Sequence, residues 1–160
     1  MKKAFTLIEV ILYLAIAGSM ILAIAGFLTV ALQARARYQA VSEVGQQGTF
    51  IMSVLAQNVR GALAINSPAD GQQDSSLSLT VPGAQDNPVV FAATNGTLTE
   101  TVGSSAAYNL SSGQISVSNL EFSNLSPTGG PGLVRVSFTL AFSGLTNYQA
   151  NFYDSFNLNP

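Results

Sequence analysis

An α+β fold is predicted by three features of this 160-residue chain. They are an apolar run near its start, an amphipathic stripe at helical spacing behind it, and a later switch to alternating apolar residues among Ser, Thr, Asn and Gly. Together they give a long N-terminal helix, transmembrane in its first half and amphipathic in its second, packed on an antiparallel β-sheet. The pattern divides the chain into a short polar leader at 1–4, a membrane span at 5–32, an amphipathic continuation at 33–66 and a β-rich globular region at 67–160.

The span comes first. Phe5 to Leu32 comprises 28 residues, of which Glu9 alone is charged. At ~1.5 Å per residue such a helix reaches ~42 Å, enough to cross a hydrocarbon core of ~30 Å. A secretory signal peptide carries a shorter apolar stretch, of about 7–15 residues, and a small-x-small cleavage site. Ala15-Ile16-Ala17 and Ala23-Ile24-Ala25 supply such triplets, so signal cleavage stands as the alternative. The acid argues against it, because an ionisable side chain at mid-bilayer costs on the order of 3 kcal/mol and is kept for a partner. Flanking charge is nearly balanced, Lys2 and Lys3 before the run against Arg35 and Arg37 after it. The N-terminal amine tips the orientation toward a cytoplasmic N-terminus.

Beyond the span, Val41, Val44, Gly48, Ile51, Leu55, Val59 and Ala62 recur every three or four positions and form one apolar face. Gln39, Glu43, Gln46, Gln47, Gln57, Asn58 and Arg60 fall mostly off it. Gly45 and Gly48 each cost about 1 kcal/mol in a helix, which makes this the place for a bend or a melted turn. Asn66-Ser67-Pro68 is a stop signal that ends the helix near Ala64.

Strands follow at Ser76 to Val81, Val89 to Thr94, Thr97 to Val102, Gln114 to Phe122, Leu133 to Phe142 and Tyr148 to Leu158. Asn95-Gly96 between the second and third is a strong hairpin signal. Pro127 to Gly132 is a Pro- and Gly-rich connection, and five or six strands make one sheet.

Composition narrows the function. Charged residues are 9% of the chain and the net charge is -2, so there is no basic field for nucleic acid. With no Cys and no His, disulfides, the usual transition-metal ligands and His- or Cys-based catalysis are excluded. The outer acids Asp70, Asp74, Asp86, Glu100, Glu121 and Asp154 show no paired spacing. The expectation is a chain that is not an enzyme and holds no cofactor or metal. Asp70-Gly71-Gln72-Gln73-Asp74 is oxygen-rich but fails the EF-hand spacing, and reads as a solvated loop rather than a calcium site. Asn95-Gly96-Thr97, Asn109-Leu110-Ser111 and Asn124-Leu125-Ser126 fit the glycosylation sequon and read as turn and edge residues. Tyr148, Phe152, Tyr153 and Phe156 form either a binding edge or, as favoured here, a core-facing C-terminal strand.

The string Ala4-Phe5-Thr6-Leu7-Ile8-Glu9, with two lysines before it and the apolar run behind it, resembles the type IV pilin and type II secretion pseudopilin family. The hairpin Val90 to Leu98, the segment Val117 to Phe122 and the strand Val134 to Leu140 resemble the J-type minor pseudopilins and W-type minor pilins in particular. The resemblance implies a pilin-like fold and cleavage by prepilin peptidase between Ala4 and Phe5, with N-methylation of Phe5. It also implies that Glu9 sets assembly and register by pairing with the Phe5 amine of a neighbouring subunit. Expected partners are the peptidase, other pilin or pseudopilin subunits, the inner-membrane assembly platform and the lipid bilayer. The expected place is a single pass through the inner membrane, with the C-terminal domain outside the cytoplasm and then in a periplasmic or surface filament. Many family members close a C-terminal loop with a disulfide, which a chain without Cys departs from. The rival expectations are a major pilin of the same system and a membrane-tethered β-rich binding module that never polymerises.

Overall fold

The computed structural model describes residues 6–127, 130–144 and 147–158. Among the described residues one long α-helix, α1 (Leu7–Gly61), is followed by nine strands, and the second half of α1 packs against antiparallel sheets. The α+β class predicted from the sequence is the class observed. Two compact units are distinguished, Met1–Gln39 and Ala40–Pro160.

In the first unit α1 is rich in Ala and Leu, which lose little entropy in a helix. Glu9 and Val10 donate their amides to the Thr6 carbonyl at 3.1 and 3.3 Å and start it. Its hydroxyls are satisfied internally, Ser19 Oγ on the Ile16 carbonyl and Thr29 Oγ1 on the Gly26 carbonyl, both at 2.8 Å. No residue from 6 to 39 is buried, so Leu7, Ile8, Ile21, Leu22 and Phe27 present their side chains outward. The helix is long and apolar enough to cross a membrane.

The second unit holds the core. On α1 the buried positions are Ala40, Val44, Gly48, Ile51, Leu55 and Val59. Val41, expected on this face, is instead 39% exposed, because the four-residue step back from Val44 lands on Ala40. Helical structure continues through Gly45 and Gly48 without a melted turn. Gly48 is buried against the Phe152 ring, where a Cβ would collide with it, so its role is close packing.

The helix ends at Gly61, earlier than the Asn66-Ser67-Pro68 signal suggests. Leu63 already donates to the Thr80 carbonyl at 2.7 Å, and β1 (Ala64–Ser67) is paired with β3 (Ser76–Thr80). The amphipathic segment placed at 33–66 therefore closes with a strand. Between β1 and β3, β2 (Gln73–Asp74) occupies part of the stretch read as a solvated loop.

The remaining strands are β4 (Val89–Thr94), β5 (Thr97–Val102), β6 (Tyr108–Asn109), β7 (Ile115–Asn124), β8 (Leu133–Phe142) and β9 (Gln149–Asn157). They form two sheets, not the one expected. The first has the order β1-β3-β4-β5-β6 and the second β2-β7-β8-β9, antiparallel throughout. Asn95 and Gly96 take φ of 51 and 77, the left-handed turn that Asn-Gly is suited to, and join β4 to β5. The same turn ties the sheets together, since Val117 donates to the Gly96 carbonyl at 2.7 Å.

One bulge is needed in β7. Ser118 pairs with Thr139 and Glu121 with Ser137, so β7 carries one residue more than β8 over that interval. Asn119 supplies it with a φ of 51. The inward phase thereby moves from Ile115 and Val117 to Leu120 and Phe122, and all four stay in the core. The core closes around Phe91, Phe122, Phe138, Ile51, Leu55 and Leu140. Full burial of one such side chain contributes about 1.5–3 kcal/mol relative to exposure.

Candidate functional site

Of the residues singled out at the N-terminus, Ala4 and Phe5 lie outside the described residues. Glu9 sits in the first turns of α1, partly exposed, with Leu7, Ile8, Ile11 and Leu12 outward around it. Its Oε1 accepts a hydrogen bond from the Tyr13 hydroxyl at 3.4 Å. Sequence reasoning did not single out Tyr13. The signal was its i+4 spacing from Glu9, which stacks the two on one helix face. At 3.4 Å this hydrogen bond is longer than the usual O–H···O range.

The outer acids separate into distinct settings. Asp70 accepts from Asn124 Nδ2 at 3.2 Å. Asp74 accepts from the Ser75 amide at 2.6 Å and from the Ser76 hydroxyl at 3.2 Å. The Ser75 amide does most to hold its carboxyl below the usual value. Asp154 accepts from the Ser155 amide at 2.8 Å. The two ends of the Asp70 to Asp74 segment thus serve different neighbours, and among the described residues no group of three acids comes together.

Asn124 is the polar centre of this region. It is 1% exposed, and its Nδ2 donates to the Pro68 carbonyl at 2.9 Å as well as to Asp70. Its Oδ1 accepts from the amide of Ser126 at 3.1 Å and from its hydroxyl at 2.5 Å. An amide sealed and engaged in this way cannot serve as a sequon acceptor. Asn95 occupies the hairpin turn and Asn109 the short β6, in line with turn and edge roles.

The C-terminal aromatics divide between the two readings made of them. Phe156 is in the core, Phe152 is half-buried and stacks on Phe138 with ring centroids 5.5 Å apart, and Tyr153 is 80% exposed.

Glu100 is the acid the sequence least distinguishes. It is 3% exposed on β5, and the Tyr108 hydroxyl donates to its Oε2. Burial, and then the neighbouring carboxylate, push the Tyr108 phenol up to about 12. Both residues line a groove of about 490 Å³ with Val54, Gln57, Asn58, Gly61 and Val81. The alternation of β5 places Leu98 and Glu100 on the same inward face, which is the one local sign that this acid is buried.

Compared with protein-family models, curated proteins and solved structures, the chain finds no match.

Proposed function

We propose that this chain is a prepilin-type filament subunit, a minor pilin or pseudopilin, built into a type IV pilus or a type II secretion pseudopilus. The observation that carries the proposal is Glu9, a single carboxylate on an unburied apolar helix that leads into a separate α+β unit. In this reading residues 5–32 hold the subunit in the inner membrane with the later residues outside the cytoplasm. Prepilin peptidase cuts between Ala4 and Phe5, and Phe5 is then N-methylated.

The reasoning for Glu9 is electrostatic. Extraction from lipid into a bundle of apolar helices leaves little water around its carboxylate. The amine created at Phe5 of an adjacent subunit is a matching charge, and a mismatched register strands both at a cost of several kcal/mol. The protein is then a structural element and a peptidase substrate, with no catalysis of its own.

Intact-mass and N-terminal analysis of the protein from host membranes, with and without the peptidase, tests this. A chain beginning at methylated Phe5 only when the peptidase is present is the expected result. Cleavage after Ala17 or Ala25, or a retained Met1, would overturn it.

A further inference from the structure

We infer that the groove between the second half of α1 and β5 binds an organic cation on an aliphatic stem, an alkylammonium or alkylguanidinium group, with Glu100 as its counter-charge. This stands independently of the filament reading, because every residue involved lies in the globular unit.

Glu100 is buried, yet its described surroundings supply only one donor, the Tyr108 hydroxyl on Oε2. Among the described residues it takes no ion pair, and Oε1 receives no hydrogen bond. That oxygen is not among the side-chain atoms sealed from solvent, so it opens on the groove, where an N–H of a cation can reach it. Burial and Glu100 hold the Tyr108 phenol up at about 12, so it remains a donor at neutral pH and does not compete with a cation for charge.

The walls fit the rest of such a ligand. Val54 and Val81 offer aliphatic surface for a stem, as long cationic side chains prefer. Asn58 Nδ2 is committed to the Val54 carbonyl at 3.0 Å, which leaves its oxygen as an acceptor for an N–H. Gly61 contributes no side chain, and a Cβ there would meet nothing within 4 Å, so the groove is open at that end. A bare metal ion is a poor fit. Calcium takes six to eight oxygens, whereas Glu100 is the groove's one carboxylate, and no cluster of three metal-ligating residues occurs among the described residues.

The test uses the full-length, ¹⁵N-labelled protein in detergent micelles, titrated with n-butylammonium, n-butylguanidinium and the uncharged isostere n-butanol. Both cations are expected to shift the Gln57, Asn58 and Gly61 resonances saturably, and n-butanol to leave them unmoved. Glu100→Gln is expected to weaken cation binding at least tenfold. Gly61→Leu, which fills open space, is expected to do the same and serves if the Glu100 variant does not fold. An acetylated, amidated Gly-Lys-Gly peptide run against free putrescine separates a protein side chain from a small-molecule amine. Equal binding of n-butanol and n-butylammonium overturns the inference, as does affinity unchanged within twofold in Glu100→Gln. Calcium chloride alone moving the same resonances to saturation would replace it with a metal site.

Discussion

Gly48 on α1 and Phe152 on β9 meet so closely that the ring of the second occupies the place where a Cβ of the first would stand. The contact fixes how near the helix comes to the four-stranded sheet, and the same ring stacks on Phe138 with centroids 5.5 Å apart. Gly48→Ala should gain about 1 kcal/mol in helix propensity, yet lose more by forcing Phe152 off its stack on Phe138. The expected net is a destabilisation of about 1–3 kcal/mol by urea unfolding. Gly45→Ala, on an exposed position with nothing within 4 Å, should stabilise by a few tenths to about 1 kcal/mol. Equal effects at the two glycines would show that the contact with Phe152 does not matter.

Asn124 ties Pro68 and Asp70 to Ser126 with both ends of its amide. Removing that amide leaves the Pro68 carbonyl short of a donor and the Ser126 amide without its acceptor. Asn124→Ala should cost about 1–3 kcal/mol. Asn109→Ala, at an exposed site, should change stability by less than about 0.5 kcal/mol. Chemical denaturation followed by near-ultraviolet circular dichroism measures both.

Tyr108 gives a pH signature. Its phenol ordinarily titrates at 10.0 and stands at about 12 in the fold, first through burial and then through Glu100. The folded state holds the proton more tightly, so this contribution to stability is full below pH 10 and is lost as pH rises through about 12. An alkaline absorbance titration of the protein's five tyrosines should show one late step, absent in Tyr108→Phe. A late step that survives the substitution would assign it to another tyrosine.

On the filament reading proposed above, Glu9→Ala should insert into the membrane and be cut between Ala4 and Phe5, but fail to join filaments. Tyr13→Phe removes only the hydroxyl that donates to Glu9 at 3.4 Å and should assemble normally. Filament preparations probed for each variant decide the point, and normal incorporation of Glu9→Ala would sink the pairing with the Phe5 amine.

Periodicity made much of the fold legible. The β4–β5 hairpin and β8 fall where alternation and Asn95-Gly96 put them, because one side of each strand is buried and the other is not. The division into two sheets was not legible, since alternation reports a buried face without saying which strand pairs with which. β2 and β6 are two residues each, too short to show a period. β1 was missed because Asn66-Ser67-Pro68 resembles a helix stop, whereas Leu63 pairing with Thr80 had already ended the helix. At the N-terminus Glu9 was visible as a lone charge, while its contact with Tyr13 depends on helical spacing. Glu100 was hidden among the other acids because the alternation of β5 that sets it beside Leu98 is its one local sign, while the helix residues and Tyr108 around it lie elsewhere in the sequence.

The apolar stripe of α1 also has a consequence for the order in which the chain can fold. Val44, Ile51, Leu55 and Val59 are made early, but share their core with Phe122, Phe138 and Phe156, which are made late. Gly48 waits for Phe152 across a separation of about a hundred residues, a long loop to close before any contact rewards it. The β7–β8–β9 meander can zip from neighbouring turns, yet its inner face is covered only when the helix and the first sheet dock on it. A chain emerging from its N-terminus therefore carries an open stripe for most of its synthesis. Release of the last strand sets the moment at which the globular half becomes compact, and a truncation before β9 should leave it soft and protease-sensitive throughout.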